Sequence, residues 1–144
     1  MPSLPLATAP PFGFSVRVYW EDTDAGGIVF YANYLKFFER ARTEWLRSLG
    51  LEQRALKETT GGLFVVSRTH MNYLTPARLD DLLHVTASVS QLGRSSITLA
   101  QQALLISKQA GTLLCEGSIR IGWVDAASMR PARMPQSLLE RLHP

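Results

Sequence analysis

Two aspartates and a double glycine stand directly before a long aromatic, helix-period run. Residues 19 to 45 read YWEDTDAGGIVFYANYLKFFERARTEW. Asp22 and Asp24 close a strand-like segment, and Ala25-Gly26-Gly27 makes a turn of small residues. A carboxylate held there could attack a carbonyl carbon or activate water. The first turn of the following helix, near Tyr31 and Ala32, carries N–H groups with no intrahelical partner. Those amides and the helix dipole could stabilise an oxyanion. A solitary Asp in such a place ordinarily serves the turn itself, as a cap or by accepting local backbone bonds. Two features argue for more. The helix pattern begins several residues later, so neither Asp is its ordinary cap. Glycines also let a ligand approach the backbone closely.

Other candidates are weaker. Glu39 and Glu44 pair within the helix with Arg42 and Arg40 at spacings of three and four. His70, His84 and His143 have no second His or Cys at ligand spacing, so no metal site is expected. His84 falls on the polar side of its strand, and an ordinary strand histidine is expected at His70. Cys115 falls on the apolar side of a strand and reads as a buried, inert thiol. Gly93-Arg94-Ser95-Ser96 is a basic, hydroxyl-bearing turn that could meet a phosphate, or simply close a hairpin.

The elements that position these residues follow from periodicity. Residues 14 to 22 alternate, with Phe14, Val16, Val18 and Trp20 on one face. From about Phe30 to Leu49 the period is helical, with Tyr34, Phe38, Ala41, Trp45 and Leu49 as the apolar stripe and Gly50 as its terminator. Leu35, Arg42 and Leu46 broaden that stripe. Four strands are expected over 62–73, 82–91, 95–107 and 112–124, the last with Leu113, Cys115, Ile119, Ile121 and Trp123 on one face. The links are short, which implies antiparallel pairing. SLLERLH near the end can form one or two helical turns. The expected fold is α+β, a long central helix wrapped by a five-stranded antiparallel sheet. One helix covers such a sheet poorly, so self-association is expected. The domain spans 14–137, between a proline-rich tail at 1–13 and a C-terminal tail at 138–144.

Composition narrows the classes. The chain has 144 residues, 46% hydrophobic and 19% charged, which suits one globular domain. Its net charge is +3, but its basic residues are scattered, which argues against a nucleic-acid partner. No apolar run approaches the roughly 20 residues of a transmembrane helix. The N-terminus lacks the layout of a secretory signal. A single cysteine fits a reducing, cytoplasmic setting.

Three segments carry a family resemblance. Within Val18 to Glu44, the runs D-T-D-A-G-G-I-V-F-Y-A-N-Y and F-F-E-R-A-R-T-E resemble the hot-dog-fold acyl-CoA thioesterases. They are most similar to the 4-hydroxybenzoyl-CoA thioesterase family and its Tol–Pal-associated (YbgC-type) branch. Tyr73-Leu74-Thr75-Pro76-Ala77-Arg78-Leu79-Asp80-Asp81 is a second match. Val124-Asp125 followed by Met-Arg-Pro-Ala-Arg-Met-Pro is a third. Together they cover roughly residues 16 to 137. The resemblance implies the hot-dog fold, hydrolysis of an acyl-CoA, and a homodimer or homotetramer with sites between protomers. It maps the catalytic carboxylate onto Asp24 and the carbonyl-polarising amide onto Tyr31, with Asp22 in support. It places Gly26 and Gly27 beside the substrate, and Arg94, Ser95 and Ser96 loosely at the CoA end. CoA is then part of the substrate, and no retained cofactor is implied. Some relatives in this branch carry His at the Tyr31 position and an acid at the Asn72 position. Both departures bear on acyl preference and pH profile. The competing reading is a non-catalytic protein that binds acyl-CoA or acyl carrier protein. A hydratase ranks last, since such enzymes resemble this fold but use a histidine near the helix start, and no His precedes residue 70.

Overall fold

A computed structural model describes residues 11–143. Five strands form one antiparallel sheet: β1 (Phe12–Arg17), β2 (Gly62–Tyr73), β3 (Leu82–Leu92), β4 (Ser96–Leu105) and β5 (Leu113–Asp125). Their spatial order is β1-β3-β4-β5-β2, so β1 and β2 are the two free edges. The main helix, α1 (Asn33–Ser48), packs mainly on β1, β3 and β4. Tyr34, Phe37, Phe38, Ala41, Trp45 and Leu46 face inward at spacings of three and four. Phe37 and Phe38 are wholly buried. Truncating either to Ala costs about 3–5 kcal/mol. Gly117 in β5 lets Phe38 reach the sheet, since a Cβ there would lie 3.2 Å from the Phe38 ring and 2.5 Å from Met71.

The expected strand–helix–four-strand order is present, with three differences. First, the opening strand runs from Phe12 to Arg17, and a single 3-10 turn (Trp20–Asp22) follows it. Trp20 was expected inward but is 79% exposed, because the turn rotates it off the sheet. Second, a short helix α2 (Gln53–Thr60) follows Gly50, with no residue buried. Its apolar side is only Ala55 and Leu56, the latter packed on the core, too short a pattern for periodicity to reveal. Third, α3 (Gln136–Leu142) inserts Leu138 and Leu142 into the core. The packed unit therefore reaches past the expected boundary at 137. The β1 end also begins two residues before the expected domain start at 14, and residues 1–10 of the expected tail lie outside the described residues.

Smaller details follow from packing. Leu114 is more deeply buried than Leu113, beside a register irregularity in the β4–β5 ladder. His84 is half-buried because its ring lies over Gly13 of the neighbouring strand, while His70 is exposed. Leu35, expected beside the apolar stripe, is 39% exposed. Gly50 ends α1 at φ 79°, as its position suggests. Among the described residues, no helix is long and apolar enough to cross a membrane.

Candidate active site

The site is built where β1 ends, β3 begins and α1 starts. Val18 donates to Asp81 O (2.9 Å), and Asp80 donates back to Val18 O (3.0 Å). Val29 donates to Ala77 O (2.9 Å), and Ile28 bridges Arg78. Residues 23–29 thus form a small hairpin docked on the 77–81 loop. Thr23 pairs with Val29 across it, and Asp24 N–H donates to Ile28 O (2.8 Å). Ala25, Gly26 and Gly27 make its tip. Gly27 sits at φ 78°, a left-handed conformation that favours glycine.

The two aspartates have different work. Asp22 is buried; its Oδ2 accepts the Tyr19 N–H at 2.8 Å. Its carbonyl accepts Phe30 N–H and the Asn33 side-chain amide, each at 2.9 Å. Asp22 therefore ties the strand end to the start of α1. Asp24 is exposed. Its Oδ1 accepts the Gly26 N–H at 2.8 Å, an Asx turn that fixes the carboxylate's direction. Among the described residues, no hydrogen bond occupies its Oδ2. Nor does any occupy the N–H of Tyr31, which lies at the approach to the first turn of α1. A fixed carboxylate and an unspent amide thus lie on one continuous segment; attack on a polarised carbonyl needs groups of these two kinds.

A cleft of about 230 Å³ opens beside this unit. Ile28, Val29, Tyr31, Tyr34, Tyr73 and Leu74 are among its lining residues. The Tyr31 and Tyr73 rings meet edge to face at 5.9 Å, and Tyr34 lies 5.8 Å from Tyr73. Tyr34 anchors the wall: its hydroxyl accepts the Ala77 N–H at 3.3 Å. Burial pushes the Tyr34 phenol up to about 12, and burial pushes the Cys115 thiol to about 12 as well. Both stay protonated at neutral pH, so Cys115 is no nucleophile.

Asp24, Gly26 and Gly27 share the small hairpin, and Tyr31 follows it two residues after Val29; of these four only Tyr31 lines the cleft. Arg94, Ser95 and Ser96 are not with them. They form the β3–β4 turn, and the eleven residues of β3 separate that turn from the Asp81 end of the site, about 35 Å of strand. There Met134 donates to Arg94 O and Trp123 to Ser95 O, each at 2.8 Å. Within one chain the turn cannot touch a group bound at Asp24. The cleft tyrosines Tyr34 and Tyr73 escaped sequence reading as a site, because one lies in the helix's core stripe and the other at a strand end. Asn33 was the missed signal for the helix start.

This geometry agrees with the comparisons. The model of the thioesterase-like superfamily matches residues 18–142. The chain belongs to that superfamily. It is 40% identical over 132 residues to the acyl-CoA thioesterase YbgC of Haemophilus influenzae, covering 92% of this chain and 94% of that one. It is also 40% identical over 128 residues to the acyl-CoA thioester hydrolase YbgC of Escherichia coli, covering 89% and 92%. Among solved structures, a probable thioesterase from Bartonella henselae superposes with a TM-score of 0.79 at 31% identity, over 88% of this chain and 100% of that one. The fold is therefore the hot-dog fold, α+β, with α1 held by the five-stranded antiparallel sheet.

Proposed function

We propose that this chain hydrolyses the thioester of an acyl-CoA to a carboxylic acid and free CoA. The observation that carries this reading is an exposed Asp24 carboxylate on the hairpin that runs directly into Tyr31, whose N–H has no partner among the described residues. One carboxylate oxygen is fixed by Gly26 and the other is free among the described residues, and the Tyr31 amide stands just before the Ala32 N-cap of α1. The likeness to acyl-CoA thioesterases matched over about nine-tenths of their length supports the substrate class.

In the proposed reaction the thioester carbonyl oxygen accepts the Tyr31 N–H. Negative charge growing on that oxygen is stabilised there and by the start of α1. The free oxygen of Asp24 attacks the carbonyl carbon, the C–S bond breaks, and the CoA thiolate leaves to take a proton from water. Water then cleaves the mixed anhydride, releasing the acid and restoring the carboxylate. In the alternative route Asp24 takes a proton from water, and that water attacks directly. Gly26 and Gly27 keep the approach clear. Arg94, Ser95 and Ser96 can serve the CoA end only from another copy, so the reading includes a homodimer or homotetramer. Acyl carrier protein could present the same thioester.

The test is CoA release from short, long and aromatic acyl-CoAs, followed with a thiol reagent. Cys115 is buried and should not add background. Release from at least one class, lost in Asp24→Asn, is the expected result. Tight acyl-CoA binding with no release across the panel would replace hydrolysis by a carrier or scaffold role. Single-turnover hydrolysis in oxygen-labelled water separates the two routes: label in the Asp24 carboxylate marks the nucleophile, and label confined to the product acid marks the general base.

A further inference from the structure

Strand β2 is a free edge of twelve residues, with Val66 and Tyr73 in it and Leu74 just after it all about half exposed. The other free edge, β1, has only six. A long edge with exposed apolar residues is the one a second copy of the chain covers best. Two identical edges close around a two-fold axis, which makes their pairing antiparallel. The Tyr73 end of one copy then lies toward the Phe64 end of the other. Each end rims a cleft of about 230 Å³. Either alone is smaller than the roughly 300 Å³ at which small-molecule pockets begin. Facing each other, they make one pocket of ordinary size.

The second cleft differs chemically from the tyrosine-lined one. It lies where α1 leaves β2 uncovered, with Phe64, Val66 and Ile121 as apolar wall. Arg42 lines it from below, nine-tenths buried. Its guanidinium donates to Gln101 Oε1 at 3.0 Å. Gln101 is locked by its own bonds to the carbonyls of Phe38 and Thr86, each at 3.1 Å. Among the described residues, the ion pairs are Arg47–Glu44 and Arg54–Glu58, so no carboxylate lies within 4.0 Å of Arg42. Burial lowers the Arg42 pKa and the nearby Glu39 raises it. Arginine nonetheless stays charged. Glu39, Thr43 and Gln53 are the other polar groups on this cleft, and Glu39 is exposed to solvent. A guanidinium offers five N–H donors. A buried cation with donors to spare, in a cleft, is built to meet an acceptor oxygen.

We propose that Arg42 of one copy forms the far wall of the acyl pocket of the other, and selects acyl groups whose distal end carries an acceptor oxygen. The shared chemistry is a carboxylate or a carbonyl oxygen on an otherwise aliphatic chain. This rests on the acyl-CoA hydrolysis proposed above and adds the class of acyl group.

The experiment compares kcat/KM for matched acyl-CoAs at several chain lengths: plain alkyl, oxo and carboxyl-ended. The native protein should favour an acceptor-ended chain over its alkyl match by tenfold or more at one length. Arg42→Met should bring that ratio close to one, and Arg42→Lys should keep part of it. If only the carboxyl-ended series gains, charge dominates, and Glu39→Gln should raise the gain further. A native preference for alkyl chains at every length would overturn the proposal without touching the hydrolase reading, and needs no variant to fold. So would a ratio unmoved by a folded Arg42→Met. Hydrolysis of none of the three series would overturn the proposal, and silence toward aromatic acyl-CoAs as well would sink the hydrolase reading with it. Sidedness is read by co-expressing Asp24→Asn with Arg42→Met chains. A hybrid dimer has one intact site only if Arg42 acts across the interface. Recovery of the native preference in the hybrid is the expected result, and no recovery overturns the cross-copy wall.

Discussion

The two ends of α1 treat their polar groups differently. At the far end Arg141 caps the carbonyls of Leu49 and Gly50 at 3.3 Å, and the Arg94 and Ser95 carbonyls are taken by Met134 and Trp123. The backbone there is spent on holding α3 and the β3–β4 turn in place. At the near end one Asp24 oxygen and the Tyr31 N–H have no partner among the described residues. Unspent donors and acceptors cost a fold nothing where water reaches them, and they are what a ligand uses. The contrast separates a structural end from a reactive one within the same domain. It also shows why a turn rich in Arg and Ser need not belong to the same half-site.

The largest expected effect tests the reactive end. Asp24→Asn keeps an acceptor for the Gly26 N–H, so the hairpin should persist, while turnover should fall by about 10³-fold or more. Full activity with unchanged Tm would move the chemistry elsewhere. Asp22→Ala should act the other way round. It removes the acceptor of the part-buried Tyr19 N–H, costing about 1 kcal/mol of stability. Denaturant unfolding would read that loss directly. If Asp22→Ala instead kept stability and lost only turnover, the division of labour between the two acids would be wrong.

Gly27→Ala is milder than Asp24→Asn. A Cβ there meets nothing within 4 Å, so the cost is purely the φ of 78°, about 1 kcal/mol. Turnover should drop several-fold as the hairpin tip shifts, whereas an unchanged rate would mean the tip does not set the Asp24 direction. The near end should also be alkali-sensitive. Cys115 and Tyr34 are held to about 12 against ordinary values of 9.0 and 10.0. Above pH 9 the unfolded chain sheds these protons before the folded one does. Stability is therefore full below pH 9 and falls as pH rises toward 12. Cys115→Ala should flatten the first part of that fall in a pH series of unfolding curves.

Much of this was legible because local chemistry and periodicity agree. The stripe Tyr34, Phe38, Ala41 and Trp45 is buried as its spacing requires, and the acids, glycines and helix start form one local unit. What was hidden depends on non-local geometry. Trp20 alternates correctly with Val16 and Val18, but a 3-10 turn outranks alternation once the strand pairing with β3 ends at Arg17. The α2 helix offers only Ala55 and Leu56 as apolar residues, too few to show a period. Arg42 read both as a neighbour of the apolar stripe and as a partner for Glu39; it is buried, and its bond goes to Gln101, fifty-nine residues away. Spacing along a helix cannot tell an exposed arginine from one whose strand partner arrives much later in the chain.

The smallest expected effect probes the structural end. Arg94 is exposed, and among the described residues only its carbonyl is bonded, so Arg94→Ala should leave stability within about 0.5 kcal/mol. If the turn serves the CoA end of a neighbouring copy's substrate, KM should rise a few-fold with kcat nearly unchanged. Uniform binding lost without loss of transition-state contacts gives that pattern. It should also fade at high salt, since a lone exposed arginine acts through a screened charge. A fall in kcat instead would bring this turn into the reacting centre, which the length of β3 forbids within one chain. Such a result would require a neighbouring copy to deliver Arg94 to the thioester itself.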